Sequence, residues 1–265
     1  MTVSKENEIT RTIKEINKLR RWITLPSHQI LFVDLNGVCG IRTKTLVGFR
    51  AQYQYDLCPT MLSFLRSLST QVLVIFYTCM SFQNARAMVE QTELRHINHV
   101  IFHQIFCYPS KSDESEIMAW KNKINLIISN NDRQVIKALS SGYQQMSQHY
   151  SKINSSFSFS KDPIFLCDQL NIKKDNCFCI DDSAEKFSKI DAMINIIPSF
   201  TGLLDQKREQ IIEETIEKMR LKFNELATLA KPEDDFIVIR KSLSLYIVIF
   251  SVILLIWPMR RSLHK

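Results

Sequence analysis

Three apolar stretches of the chain each end in a side chain that can do chemistry. ILFV precedes Asp34, QVLVIFY precedes Thr78, and CFCI precedes Asp181 and Asp182. Converging carboxylates suit Mg²⁺, whose shell takes one or two carboxylates together with phosphate and water. A hydroxyl on a neighbouring strand can bind a phosphate oxygen. Together the three ends predict phosphoryl transfer.

The elements that position these side chains alternate along the sequence. Each apolar stretch is short and continuous, as in a fully buried strand. The helical pattern PTMLSFLRSL lies between the first two stretches, and the helical pattern SFQNARAMVEQTEL follows the second. Buried strands alternating with helices predict an α/β fold whose parallel sheet is covered by helices on both faces. In such sheets the site lies beyond the carboxyl ends of the strands.

The spacing of apolar residues also predicts the outer parts of the chain. An amphipathic helix is expected within residues 1–27, where Ile9, Ile13 and Ile16 follow helical spacing behind a cap at Ser4. The main domain then covers 28–205, with an insertion rich in Ser, Asn and Gln at 109–160, and a second amphipathic helix covers 206–231.

The C-terminal stretch 242–259 reads SLSLYIVIFSVILLIWPM and contains no charged residue. Basic residues flank it on both sides, at 240–241 and 260–261. At ~1.5 Å per residue a helix of this length just spans a bilayer core. We therefore expect a single-pass transmembrane anchor with the domain facing the cytosol, in the endoplasmic reticulum, nuclear envelope or a mitochondrial membrane.

Composition narrows the class of protein. The chain has only 5 glycines and shows neither a Rossmann fingerprint nor a P-loop. Its formal charge of +7 is spread among acidic residues, so we expect no direct nucleic-acid partner. Seven cysteines without a CxxC pair predict free thiols in a reducing compartment.

Four segments, read in order, resemble a known family. Residues 30–38, ILFVDLNGV, resemble the first motif of the haloacid dehalogenase (HAD) superfamily. Residues 55–85 are similar to phosphatases of the RNA polymerase C-terminal domain and NLI-interacting-factor (NIF) branch, as are FCIDDSAEKF at 178–187 and INIIPSF at 194–200. The resemblance covers 28–205 apart from the insertion and implies a HAD-like Rossmannoid sheet.

The resemblance implies roles for individual residues. Asp34 would be the nucleophile that forms an acyl phosphate, and Thr78 would hydrogen-bond the phosphoryl oxygens. Lys161 would neutralise charge on the transferring group, with Lys152 as its rival. Lys161 could instead be an ordinary surface lysine.

The implied cofactor is Mg²⁺. Its protein ligands would be Asp34, the backbone carbonyl of Asn36, Asp181 and Asp182. Asp182 could instead cap a helix that follows the strand. The implied partner is a phosphoserine or phosphothreonine protein or peptide.

Asn36 departs from the family pattern, because an aspartate there protonates the leaving alcohol and then activates water. General acid or base catalysis contributes about 10²- to 10⁴-fold in rate. Three interpretations follow: a pseudophosphatase that binds phosphorylated protein, a slow phosphatase, or an enzyme that uses Asp182 or His28 as its acid. A non-catalytic adaptor or translocase-type scaffold at a membrane is the alternative function.

Overall fold

The computed structural model describes most of the chain. The described residues are 7–24, 29–47, 50–68, 72–152, 158–187, 190–203 and 205–229. The chain divides into two compact units, Met1–Leu221 and Lys222–Lys265. The central sheet and the candidate site belong to the first unit.

Strands and helices alternate along the described residues. The strands are β1 (Gln29–Val33), β2 (Gly40–Val47), β3 (Arg50–Leu57), β4 (Val72–Tyr77), β5 (His99–Phe102), β6 (Tyr108–Pro109), β7 (Phe159–Ser160), β8 (Cys177–Asp181) and β9 (Ile194–Ile196). The α-helices are α1 (Glu8–Ile23), α2 (Pro59–Ser67), α3 (Phe82–Glu90), α4 (Glu114–Asn130), α5 (Arg133–Lys152), α6 (Pro163–Gln169) and α7 (Gln206–Leu229).

A five-stranded parallel sheet forms the centre of the fold, with strand order β5-β4-β1-β8-β9. β1 is the middle strand: Val33 pairs with Phe76 of β4 on one side and with Ile180 of β8 on the other. The prediction of an α/β fold with a parallel sheet is confirmed. Because β1, β4 and β8 end together, the polar groups that follow them meet at one edge.

Buried side chains lie on both faces of the sheet. Ile30 and Phe32 of β1 belong to a core cluster that also contains Leu19 of α1 and Trp120 of α4. Leu31, which alternates with them, is equally buried. Helices α2, α3 and α7 supply buried side chains that lie outside that cluster. All seven cysteines are free thiols.

Helix α1 packs against β5 and buries Ile16. It begins at Glu8 because Asn7 is its cap: the Asn7 side-chain oxygen accepts a hydrogen bond from the backbone N–H of Ile9 at 3.0 Å. The sequence favours a cap at Ser4, which lies outside the described residues. The observed cap is three residues farther along the chain.

The segment predicted as an insertion, 109–160, folds mainly as α4 and α5. Its two ends meet, because β6 pairs antiparallel with β7. The helices also bond to the chain that precedes β6: the Trp120 indole N–H donates to the Ile105 carbonyl at 3.2 Å, and the Tyr143 hydroxyl donates to the Cys107 carbonyl. The segment therefore contributes to the main core.

An antiparallel hairpin, β2 and β3, follows the loop after β1. The sequence pattern does not predict it, because GIRTKTLV and RAQYQYDL lack regular apolar alternation. Gly40 begins the hairpin at a close backbone approach. A Cβ on Gly40 would lie 2.4 Å from the Asp56 carbonyl oxygen, so this position requires glycine.

Helix α7 lies within the predicted helical range 206–231 and buries Ile212, Ile216 and Met219. The predicted anchor at 242–259 lies outside the described residues. Among the helices that the structure describes, none combines the length and apolar character needed to cross a membrane.

His103, directly after β5, makes the stability of the fold depend on pH. Its side chain is 1% exposed, with Thr12 Oγ1 at 3.2 Å from Nε2 and Glu8 Oε1 at 3.7 Å from Nδ1. Burial lowers the pKa of His103 from 6.5 to about 3. Between these values the unfolded chain binds a proton that the folded chain does not, so stability falls as pH falls.

We expect this group to remove about 2 kcal/mol of unfolding free energy between pH 7 and pH 5. Urea unfolding of His103→Gln at the same pH values should show a smaller decrease than the wild type. The exposed His96 provides the control, since His96→Gln should keep the wild-type dependence. Equal decreases in the wild type and His103→Gln would contradict a neutral buried imidazole.

Candidate active site

The carboxyl-end edge of the sheet brings together the polar groups selected from the sequence. Asp34 follows β1, and its backbone N–H donates to the Ile180 carbonyl of β8 at 3.0 Å. Asp181 is the last residue of β8. Thr78 follows β4 on the other side of β1, and all three side chains are buried.

Lys161 joins the two strand-end carboxylates. Its Nζ lies 3.1 Å from Asp34 Oδ1 and 2.5 Å from Asp181 Oδ2. The lysine is 1% exposed, so it is not a surface residue. It comes directly after β7 and forms a backbone bridge with Phe187, and its ammonium lies 5.5 Å from the centre of the Tyr77 ring.

A second lysine, Lys186, contacts the same cluster and was not selected from the sequence. Its Nζ lies 2.6 Å from Asp34 Oδ2, 3.1 Å from Asp181 Oδ1 and 2.9 Å from Asp182 Oδ1. It ends a short 3₁₀ turn, Ala184–Lys186. The spacing of four residues from Asp182 is the signal that could have found it, since oppositely charged residues at that spacing often pair.

The two lysines set the ionisation of the buried carboxylates. Burial by itself would raise the pKa of Asp34, but the ammonium groups of Lys161 and Lys186 outweigh it and lower that pKa. Burial raises the pKa of Asp181 despite the same two lysines. Burial opposes the charge of Lys161, yet Asp34 and Asp181 raise its pKa. Of these two carboxylates, Asp34 is the one held more firmly as an anion.

Asp182 lies close to the loop that follows β1. Gly37 has a φ of +88°, a conformation that favours glycine, and a Cβ there would lie 1.9 Å from Asp182 Oδ2. Asn36, one residue earlier, is exposed and forms a backbone bridge with Gly40. Asp182 does not act as the helix cap considered from the sequence; its carboxylate pairs with Lys186 instead.

The donor set of the cluster fits the predicted Mg²⁺. Carboxylate oxygens of Asp34, Asp181 and Asp182 lie within 4.8 Å of one another. Magnesium prefers such oxygen ligands and is held by few carboxylates. The backbone carbonyl of Asn36 remains a predicted fourth ligand. The Lys186 ammonium lies between the same three carboxylates, at the position that a cation would take.

Three residues considered from the sequence remain: Thr78, Lys152 and His28. The Thr78 hydroxyl oxygen accepts a hydrogen bond from the backbone N–H of Met80 at 3.3 Å. Lys152, the rival of Lys161, is the last residue of α5, and its side chain lies outside the described part of the structure. His28 also lies outside the described residues.

Replacing Lys161 with methionine should strongly destabilise the protein. The change leaves Asp34 and Asp181 buried with Lys186, whose side chain is 22% exposed, as the remaining ammonium beside them. Removing one partner of a buried ion pair costs about 3–5 kcal/mol. Urea unfolding at pH 7 measures the loss. Lys123→Met, at an exposed position of α4, is the matched control and should change little. A loss of only about 1 kcal/mol for Lys161→Met would indicate a screened, surface-like pair.

Comparison with known proteins identifies no family for the chain. No family model matches the chain, and no curated protein matches its sequence. The functional argument therefore depends on the side chains at the carboxyl edge of the sheet.

Proposed function

We propose that this domain binds the phosphate monoester of phosphoserine or phosphothreonine proteins, with Asp34 placed to accept the phosphoryl group and with slow turnover. One observation carries the proposal: a buried aspartate at the end of the central strand is held ionised between two ammonium groups. A carboxylate in this position is an anionic nucleophile beside groups that can neutralise a phosphoryl oxygen.

In the proposed reaction an Asp34 oxygen attacks phosphorus, and the bond from phosphorus to the serine or threonine oxygen breaks. The products are an acyl phosphate on Asp34 and an alkoxide, which takes its proton from water. A water molecule then attacks the acyl phosphate, which releases inorganic phosphate and restores the Asp34 carboxylate. Lys161 offsets the charge of the transferred group. When bound at Asp34, Asp181 and Asp182, Mg²⁺ would supply further positive charge to the phosphoryl oxygens.

Asn36 explains why the proposed turnover is slow. An amide can neither donate a proton to the leaving alkoxide nor accept one from water. Losing a factor of about 10²–10⁴ in rate adds about 3–5 kcal/mol to the barrier. The Asp182 carboxylate also lies beside this loop, next to Gly37, but it pairs with Lys186 at 2.9 Å.

The alternative is a non-catalytic adaptor, a pseudophosphatase or translocase-type scaffold that holds a phosphorylated or unmodified partner. Two observations favour it. Residue 36 is an amide where the family resemblance implies an acid, and both oxygens of Asp34 are already engaged by lysines. Attack by Asp34 requires that one of these contacts be released.

Substituting Asn36→Asp should restore the missing acid. We expect hydrolysis of a phosphoserine peptide to rise about 10²- to 10⁴-fold. The rise should be much smaller with p-nitrophenyl phosphate, because nitrophenolate leaves without a proton. The double variant Asn36→Asp with Asp34→Asn should be inactive on both substrates. Phosphate release in Mg²⁺ measures each rate.

Two other outcomes separate the alternatives. If the wild type binds the phosphopeptide but releases no phosphate from it, the domain is an adaptor, and Asn36→Asp should then create turnover that the wild type lacks. If the wild type neither hydrolyses the phosphopeptide nor binds it more tightly than its unphosphorylated form, the proposed phosphate-binding function fails.

We propose further that residues 242–259 tether the domain to a membrane through a single C-terminal span. The support is the uncharged stretch with basic flanks, which suits a short span with snorkelling lysine and arginine side chains.

Deleting residues 242–265 should move the protein from the membrane pellet to the soluble fraction in cell fractionation. The full chain should resist extraction by alkaline carbonate, as an integral span does. Replacing the six residues after the stretch, 260–265, with a neutral sequence is the control and should leave most of the protein in the pellet. A full chain that carbonate releases would contradict the anchor.

A further inference from the structure

We propose that Lys186 is an exchangeable internal cation: its ammonium occupies the cation position of the Asp34, Asp181 and Asp182 cluster and leaves it when a divalent ion binds. The inference rests on the metal site of the proposed function and adds a residue that controls access to it. It predicts a resting form of the protein that needs no metal.

The contacts of Lys186 place it where the cation would be. Its Nζ lies between 2.6 and 3.1 Å from one oxygen of each of the three carboxylates. These carboxylates also provide the three ligand oxygens that lie within 4.8 Å of one another. The ammonium and a divalent ion would therefore compete for the same oxygens.

Charge makes simultaneous occupancy unfavourable. Three carboxylates face two ammonium groups, so the cluster has one net negative charge when all are ionised. A divalent ion in place of Lys186 would balance the cluster, with Lys161 as the remaining ammonium. With both lysines and the ion in place, like charges would lie a few ångströms apart in a site with little solvent screening.

Lys186 is the lysine that can leave. Its side chain is 22% exposed, whereas that of Lys161 is 1% exposed. The Lys186 backbone is held, because its carbonyl accepts a hydrogen bond from the Lys161 N–H at 2.6 Å. The exchange therefore needs only a side-chain rotation of Lys186 toward solvent.

The exchange also changes the contacts of Asp34. Asp34 Oδ1 is bound by Lys161 and by the backbone N–H of Leu35 at 2.9 Å, while Oδ2 is bound by Lys186. When Lys186 rotates away, Oδ2 becomes a ligand of the divalent ion, and Oδ1 keeps its contacts with Lys161 and Leu35.

Binding of Mn²⁺ to the full-length protein in detergent tests the exchange. Mn²⁺ serves as the probe because binding removes the paramagnetic resonance signal of the free ion. Lys186→Gln should bind Mn²⁺ at least about tenfold more tightly than the wild type, a difference of ~1.4 kcal/mol. Lys186→Arg, which keeps the charge, should bind no more tightly than the wild type. Lys123→Gln controls for overall charge and should equal the wild type.

A second measurement uses the wild type alone, so it does not depend on the folding of a variant. Amine acetylation of Lys186, quantified by mass spectrometry, should increase when Mn²⁺ is added, since the side chain is then released to solvent. Acetylation of the exposed Lys123 should not change. A lysine that merely stays beside a bound ion would become less reactive or remain the same.

Equal Mn²⁺ affinity in the wild type and Lys186→Gln overturns the inference, as does acetylation of Lys186 that fails to increase. The absence of Mn²⁺ binding in all variants also overturns it. Phosphopeptide binding on the same samples separates it from the proposed function. Phosphopeptide binding with equal Mn²⁺ affinities removes only the exchange, whereas metal-dependent release of Lys186 without phosphopeptide binding removes only the proposed function.

Discussion

The burial of two carboxylates side by side is the constraint that the rest of the structure must satisfy. Asp34 and Asp181 end adjacent central strands and are 3% and 1% exposed. An ion taken out of water in this way costs several kcal/mol unless an opposite charge and hydrogen bonds compensate it. A cation must therefore lie at the strand ends, and of the two lysines in the cluster Lys161 is the fully buried one.

The long segment between β5 and β8 positions Lys161. β6 and β7 join the ends of 109–160 and leave Lys161 directly beside the sheet edge. Two backbone contacts then fix it: Lys161 N–H donates to the Lys186 carbonyl at 2.6 Å, and Asp162 N–H donates to the Tyr77 hydroxyl at 3.1 Å. Tyr77 in turn donates to the Phe106 carbonyl at 2.7 Å. The segment that the sequence marks as an insertion is thus part of the support of the site.

The sequence predicts the parts of this arrangement that follow from local pattern. Continuous apolar strands reveal the parallel sheet, and the sheet places Asp34 and Asp181 together because neighbouring parallel strands end at one edge. The local pattern does not predict the position of Lys186. A single 3₁₀ turn places its ammonium beside the carboxylates of Asp34, Asp181 and Asp182. The sequence pattern does not predict the hairpin of β2 and β3 either, because its mostly polar strands depend on pairing with each other rather than on burial.

The same constraint applies to the buried cluster but not to the neighbouring loop. Asp34, Asp181 and Lys161 compensate one another inside the fold, so the loss of any one leaves a buried charge without its partner. Position 36 takes no part in this charge compensation. Asn36 is exposed and forms a backbone bridge with Gly40. The side chain at position 36 can therefore be an acid or an amide without disturbing the cluster. The buried Asp34–Lys161–Asp181 arrangement is thus required by the fold, whereas the stability of the fold does not constrain the side chain at position 36.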